Sequence, residues 1–395
     1  MTGAAGDAGL LSGLTVVDLS QFLAGPLAGL KLADFGARVI KIERPGVGDL
    51  CRNLYLSEIE VARTNTLFHA INRNKQSYAA DLKSGVDREK VLRLVAKADV
   101  VIQNFRPGII ERLGLDYESV KAVNPDIIYA SISGFGAEGE WKDLPGQDLL
   151  AQARSGLMWL TGDADQPPVP IGLAIADQLA GNFVVQGILA ALVRRATTGE
   201  GAHIETSLLE AVLDFQFEVL TTHLNDADHK LPQRSAVGNA HAYLAAPYGV
   251  YRTSDGFVAI AMTPVDRLGR ILGCEPLAQM SDPETWFSQR DDIKTVLRDH
   301  LEHHTTAHWM ELLNAEDVWA SEVLDWPAMF KSNGFQALEF VQELELEQGQ
   351  SMQTTRSPIR VDGQTLTSSR SAPAIGQHNQ LIEREFGLLD VSSEP

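Results

Sequence analysis

Cysteine is almost missing from this chain. Cys51 and Cys274 are the two among 395 residues. Two cysteines so far apart cannot build a disulfide framework, a C-x-x-C redox pair or a cysteine zinc cluster, so a reducing, cytoplasmic setting is expected. Positive charge is scarce too. With 33 Lys and Arg against 52 Asp and Glu, the formal net charge is -19. Sequence-independent nucleic-acid binding needs clustered cations, so no nucleic-acid partner is expected. No continuous apolar run reaches the ~18 residues of a membrane span, so no membrane is expected either. The first 13 residues are small and flexible in composition, with Asp7 where a secretion signal would be basic.

Several chemical signatures are also lacking. There is no G-x-S-x-G elbow and no P-loop. Gly134, Gly136 and Gly139 fit G-x-G-x-x-G, but Trp141 and Pro145 follow where the dinucleotide fingerprint needs a helix. His300, His304 and His308 recur at helical spacing, with His303 between them. Thr305 and Thr306 interrupt that face and no H-E-x-x-H order is present, so a polar surface is expected there and no metal.

What remains is an alternation of strands and helices. Residues 14–19, 38–42, 100–103 and 126–131 read as strands, and 24–35 and 87–98 as helices, with Pro26 in a first turn and Gly36 just past the end. Such alternation predicts a parallel sheet with ligands beyond the carboxyl ends of its strands. Residues 176–195 form a long apolar helix, 203–206 a strand and 208–223 another helix. A polar stretch from 226 reads as a linker. Segments 248–252 and 257–262 flank Ser254-Asp255-Gly256 as a hairpin, helices follow to about 316, 342–361 adds strands and 379–386 a last helix. The expected domains are 1–225, a smaller α+β domain at 226–325, and a return to the large domain at 326–395.

Three arginines follow predicted strands: Arg44 after the second, Arg106 after the third, and Arg112 one turn into the next helix. Grouped at one sheet edge, they suit a phosphorylated ligand. Asp177 lies where a loop becomes a helix. On spacing alone it reads as an N-cap, and the same position would also hold a carboxylate ionised as a nucleophile. Asp148 carries the same ambiguity. These residues reach an α/β enzyme for a phosphorylated ligand and do not identify its reaction.

In these stretches the sequence resembles the class III CoA-transferases, the family of formyl-CoA transferase, carnitine CoA-transferase and the 2-methylacyl-CoA racemases. The matching segments are LSGLTVVDLSQFLAGPLAG (11–29), GARVIKIERPGVGD (36–49), NRNKQSYAADLK (72–83), ADVVIQNFRPGIIERLGL (98–115), AIAD ending at Asp177, and TTGEGAHIETSLLEAV (197–212). The resemblance implies a Rossmann-like large domain built from both chain ends, a smaller α+β domain, and an interlocked homodimer. It implies acyl-CoA and a small carboxylic acid as substrates, with no permanently bound cofactor. Asp177 matches the family nucleophile, with Asp148 and Gln147 beside it as further catalytic candidates. The CoA-binding matches are Gln21, Leu23, Ala24, Arg44, Ala80 to Lys83, Asn104, Phe105, Arg106 and Arg112.

The implied mechanism is covalent: the aspartate attacks the thioester, a mixed anhydride forms, and CoA thiolate returns to give an aspartyl-CoA thioester. An ordinary Asp, with a pKa of ~3.9, is already ionised at neutral pH and needs no general base. Two departures stand out. Racemase members carry His where Gln147 stands, and Gln cannot take up an α-proton, which favours transfer. Formyl-CoA transferase closes its site with a run of glycines, whereas residues 237–241 hold only Gly238, which leaves open whether residues 238–241 form an active-site flap and unsettles formyl or oxalate specificity. His241 would suit a structural role or an acyl contact. Trp159, Phe215 and Tyr243 would suit an acyl pocket, with the core as their expected place.

Overall fold

The protein is described by a computed structural model covering residues 9–54, 59–61, 64–228, 230–346, 349–368 and 370–388. The N-terminal stretch expected to be flexible therefore lies, through residue 8, outside the described residues. Two compact units emerge, one of Met1–Ala151, Ala174–Val212 and Leu338–Pro395, the other of Gln152–Leu173 and Leu213–Ala337. The stretch 226–325 falls inside the second, but so do residues 152–173, 213–225 and 326–337, which were expected in the large domain.

The first unit is built on a six-stranded sheet. Its strands are β1 (Thr15–Asp18), β2 (Arg38–Glu43), β3 (Gln76–Ala79), β4 (Val100–Gln103), β5 (Ile128–Ser133) and β6 (Ala202–Ser207). Every pairing is parallel, in the order β3-β2-β1-β4-β5-β6. All carboxyl ends therefore share one edge, and the order reverses between β1 and β4, where ligands of doubly wound sheets bind. Val17, Ile40, Val101 and Tyr129 are buried in the sheet core. Each such aliphatic side chain contributes roughly 1.5–3 kcal/mol.

Six helices bear on the site: α1 (Ala24–Asp34), α2 (Gly85–Val95), α3 (Ile109–Arg112), α4 (Tyr117–Val123), α5 (Asp148–Arg154), which begins in this unit, and α6 (Ile175–Thr198). Gly36, the residue after the C-cap of α1, has φ +97°, the conformation expected of a glycine there. By length and composition α6 is long and apolar enough to cross a membrane. Asp177, Gln178, Asn182 and Gln186 interrupt it, so it is not a continuous apolar run. In this fold α6 packs on α1, β5 and β6 as a core helix.

Sequence patterning missed β3. Gln-Ser-Tyr-Ala is an edge strand with a polar face, so it shows neither an apolar run nor clean alternation. The helix expected over 208–223 breaks into Leu208–Phe215 and Phe217–Leu224, because Gln216 leaves helical geometry between them. Residues 126–131 pair as a strand only from Ile128 onward.

The second unit carries the expected hairpin, Gly249–Arg252 with Phe257–Ile260, and Ala320–Glu322 joins its other edge. Helices Val265–Leu272, Arg290–Leu301 and Thr306–Ala315 enclose a core that includes Tyr251, Ile293, Leu297 and Trp309. Thr305 caps the last of these helices, so His300 and His308 lie on different helices. The core expectation fails for Trp159, 61% exposed, and Phe215, 50% exposed.

A buried ionic lattice fastens the first unit beneath the ends of β1 and β2. Lys75 Nζ meets Asp18 Oδ2 at 2.9 Å, and Lys41 Nζ meets Asp49 Oδ2 at 2.7 Å, all four side chains fully buried. Burial pushes the Asp18 carboxyl upward, yet Lys75 and Lys41 outweigh it and hold the pKa near 2. Removing one partner strands the other's charge, which is more costly than never having had the pair. Lys75→Ala is expected to destabilise the protein by about 3–5 kcal/mol in urea unfolding, with much of the loss recovered in Asp18→Asn/Lys75→Met.

Candidate active site

The loop from β1 to α1 is held almost atom by atom. Asp18 Oδ1 accepts the Ser20 N–H (3.0 Å), Lys41 Nζ donates to the Ser20 carbonyl (2.8 Å), and Asp49 Oδ1 accepts the Phe22 N–H (3.1 Å). Asn104, at the end of β4, spans the sheet's reversal point. Its Oδ1 accepts the Gln21 N–H (2.9 Å) and its Nδ2 donates to the Gln21 carbonyl (2.7 Å). Within this clamp Phe22 takes φ +64°, uncommon for a residue with a side chain. The turn delivers Leu23 and Ala24 to the start of α1.

A second constraint comes from glycines. A Cβ at Gly134 would stand 2.5 Å from Gly146 Cα, and one at Gly146 would stand 2.4 Å from Gly134 Cα. Only glycines permit this approach, which draws Gly146-Gln147-Asp148 against the end of β5. Asp148 then caps α6 from outside the helix: its Oδ1 accepts the Ala176 N–H (2.6 Å) and the Asp177 N–H (3.3 Å). The N-cap position belongs to Ala174, whose side chain caps nothing. Asp177 is therefore not the N-cap that its spacing suggested. It sits in the first turn, with its side chain free for other contacts.

Those contacts come from α1. The Ala24 N–H at the start of α1 acts to lower the Asp177 pKa. One turn further along α6, a Cβ at Gly181 would lie 2.7 Å from the Ala24 carbonyl oxygen. Gly181 thus allows α1 to begin close enough for Ala24 to reach Asp177. The carboxylate faces two helix N-termini, which favour negative charge. Burial and the charge of Asp148 oppose them and win, raising its pKa to about 7. This corrects the expectation of an ordinary, fully ionised aspartate.

Around Asp177 opens a cavity of about 710 Å³. Leu23, Ala24, Asn104, Phe105, Arg106, Gln147, Asp148 and Asp177 all line it. Gln21, Arg44, Ala80, Lys83 and Arg112 do not. Gln21 is engaged through its backbone, while Arg44 and Lys83 are exposed and Ala80 buried just past the ends of β2 and β3. Arg112 lies on α3, its guanidinium 3.4 Å from where a Gly108 Cβ would stand. The five thus follow the same edge of the sheet outside the cavity. Sequence reasoning missed Phe22, Lys142, Gly181 and Leu54. Only Gly181 left a trace, as a glycine inside a helical pattern.

In the second unit, residues 235–239 are pinned. Lys294 Nζ donates to Ser235 Oγ (2.9 Å), Asp163 Oδ1 accepts the Asn239 N–H (2.7 Å), and Asn239 Nδ2 donates to the Leu160 carbonyl (3.2 Å). His241 Nδ1 accepts the Tyr243 N–H (3.2 Å), and its Nε2 is 3.5 Å from Glu218.

Because the folded carboxyl of Asp177 titrates near 7 and the unfolded one near 3.8, the folded chain holds the extra proton between those values. Ionising Asp177 therefore costs stability as pH rises through this window. Asp177→Asn is expected to melt above the unsubstituted protein at pH 8, with the two Tm values converging toward pH 4.

Comparison with known proteins fits this geometry. The model of CoA-transferase family III matches residues 11–379. The chain is 35% identical to the succinate–glutarate CoA-transferase of Agrobacterium fabrum, covering 98% of both chains. It is 37% identical to the acetyl-CoA:oxalate CoA-transferase of Acetobacter aceti, covering 80% of this chain and 81% of that one. A crystal structure of a CaiB/BaiF family protein from Brucella suis superposes with a TM-score of 0.82 at 34% identity, covering 96% of this chain and all of that one. The chain belongs to CoA-transferase family III.

Proposed function

We propose that this CoA-transferase moves coenzyme A from an acyl-CoA to a short dicarboxylic acid, with Asp177 as the covalent nucleophile. One observation carries the reading: a half-buried carboxylate opens into a cavity at the sheet's reversal point, where α1 and α6 begin. In its ionised form Asp177 attacks the thioester carbon, and CoA leaves as thiolate from a mixed anhydride. The thiolate then attacks the aspartyl carbonyl, releasing the first acid and leaving an aspartyl-CoA thioester. The acceptor carboxylate runs the same steps in reverse. Each tetrahedral intermediate is anionic and gains from the amide-rich start of α1. Arg44, Arg106 and Arg112 take the phosphates, and Gln21, Leu23, Ala24, Ala80, Lys83, Asn104 and Phe105 shape the path between. Asp148 orients Asp177 by capping α6 and raises its pKa. Gln147 carries no titratable group, so the α-proton exchange of a racemase lacks its base.

The acceptor class rests on two supports. The relatives' names specify diacids, and among the described residues the cavity holds two cations, Arg106 and Lys142. With Arg106 on CoA, Lys142 is left to meet an acceptor's far carboxylate. A homodimer, expected from the family, is supported by apolar side chains exposed on a single chain, Phe217 at 68% and Trp326 at 74% among them.

The test is CoA exchange between succinyl-CoA and glutarate or oxalate, followed by chromatography of the esters. Exchange is expected, rising as pH passes 7, and Asp177→Ala should abolish it while still binding CoA esters. Undiminished exchange in Asp177→Ala would remove the nucleophile assignment, and α-deuteration without exchange would favour racemisation. Lys142→Ala should raise the KM for glutarate about fivefold, the worth of one partly exposed ion pair, and leave that for acetate unchanged.

A further inference from the structure

Phe105, Pro107, Ile132 and Ser133 line both the cavity at Asp177 and a neighbouring one of about 550 Å³, which is also lined by Ser131, His203 and Glu205. Ser131 and Ser133 are on β5 and His203 and Glu205 on β6, with Ser131 paired to Glu205 and Tyr129 to His203. A chain of hydrogen bonds connects these groups. Gln103 Oε1 accepts the Phe105 N–H (2.8 Å), so its amide nitrogen is the atom that donates to Ser131 Oγ (3.0 Å). Ser131 Oγ accepts that bond and lies 3.0 Å from His203 Nε2, a contact in which the serine hydroxyl donates when the imidazole carries its proton on Nδ1. In that tautomer the Nδ1–H faces Glu205 Oε2 at 3.8 Å. Tyr117 stacks on the imidazole (4.6 Å, 18°) and Tyr129 meets its edge, fixing the ring plane.

We propose that Ser131, His203 and Glu205 form a second, hydrolytic site that cleaves neutral or cationic carboxylic esters. Nucleophile, base and orienting carboxylate stand in the order such relays require, and the looser last contact is common before substrate binds. Burial lowers the His203 pKa against the opposing pull of Glu205 and Glu118, so the imidazole is neutral and able to accept a proton at pH 7. Ser131 Oγ attacks the ester carbon while its proton passes to His203 Nε2. The alcohol leaves with that proton. Water, deprotonated by His203, then releases the acid and restores Ser131. Ser133 Oγ accepts the Gly136 N–H (2.9 Å), which leaves its own proton for the oxyanion. Glu111, Asp116, Glu118, Glu138 and Glu210 also line this cavity and repel anionic esters, CoA esters included. The proposal is independent of the transfer chemistry at Asp177.

The experiment uses the full chain with an uncharged alkyl fluorophosphonate, peptide mass spectrometry to locate the adduct, and p-nitrophenyl acetate as substrate. The Asp177→Ala background keeps aspartyl chemistry out of the hydrolysis assay. Label on Ser131 is expected, together with hydrolysis about 100-fold slower in both Ser131→Ala and His203→Gln at unchanged Tm. Label confined to other residues, or hydrolysis undiminished by these substitutions, overturns the proposal. Labelling of the unsubstituted chain decides the matter even if a variant folds poorly.

Discussion

Asp177 stands where water is scarce and a second carboxylate is close, and both raise the cost of its charge. The first turn of α6 and the Ala24 N–H return part of that cost. The balance leaves a carboxyl that titrates near neutrality, far above an ordinary aspartate. Much of the first unit serves this balance. Gly181 lets α1 approach, Asn104 clamps the loop before it, and the Gly134–Gly146 contact brings Asp148 over the start of α6. A small displacement of any of these would change the desolvation or the hydrogen bonding of one carboxylate.

The ionic lattice of Asp18, Lys41, Lys75 and Asp49 plays a different part. It makes little sense as a source of stability, because burying charge is costly even when it is paired. What it does is occupy the backbone groups of Ser20 and Phe22, so the loop cannot relax into a common turn. A glycine-rich loop would reach such a conformation by freedom. Here it is reached by restraint, with Phe22 held at positive φ.

Much of this was legible in advance. β1, β2 and β4 were visible as short β-branched runs, α6 as a long apolar helix, and the C-terminal helix Asn379–Phe386 at its full bounds. Of the three arginines picked out at the strand ends, Arg106 alone lines the cavity, because position along a parallel edge does not say which side chains turn into it. β3 escaped, because a polar edge strand has no hydrophobic period to betray it. Asp177 was found, but its state was not. Its pKa depends on Asp148, 29 residues away, and on α1, and no local pattern records such contacts. Asp148 itself was ambiguous for the same reason, since it caps a helix other than its own. Trp159 was misplaced because size and apolarity do not say whether a residue faces the core or a surface.

The central claim is that Asp177 becomes covalently bonded during transfer. Incubating the purified protein with succinyl-CoA alone, quenching in acid and mapping peptides by mass spectrometry tests it directly. The account predicts a CoA-sized thioester on Asp177 that disappears when glutarate is added and never forms in Asp177→Ala. Catalytic exchange of CoA with no adduct on Asp177 at any quench time, or an adduct that persists in Asp177→Ala, would contradict it.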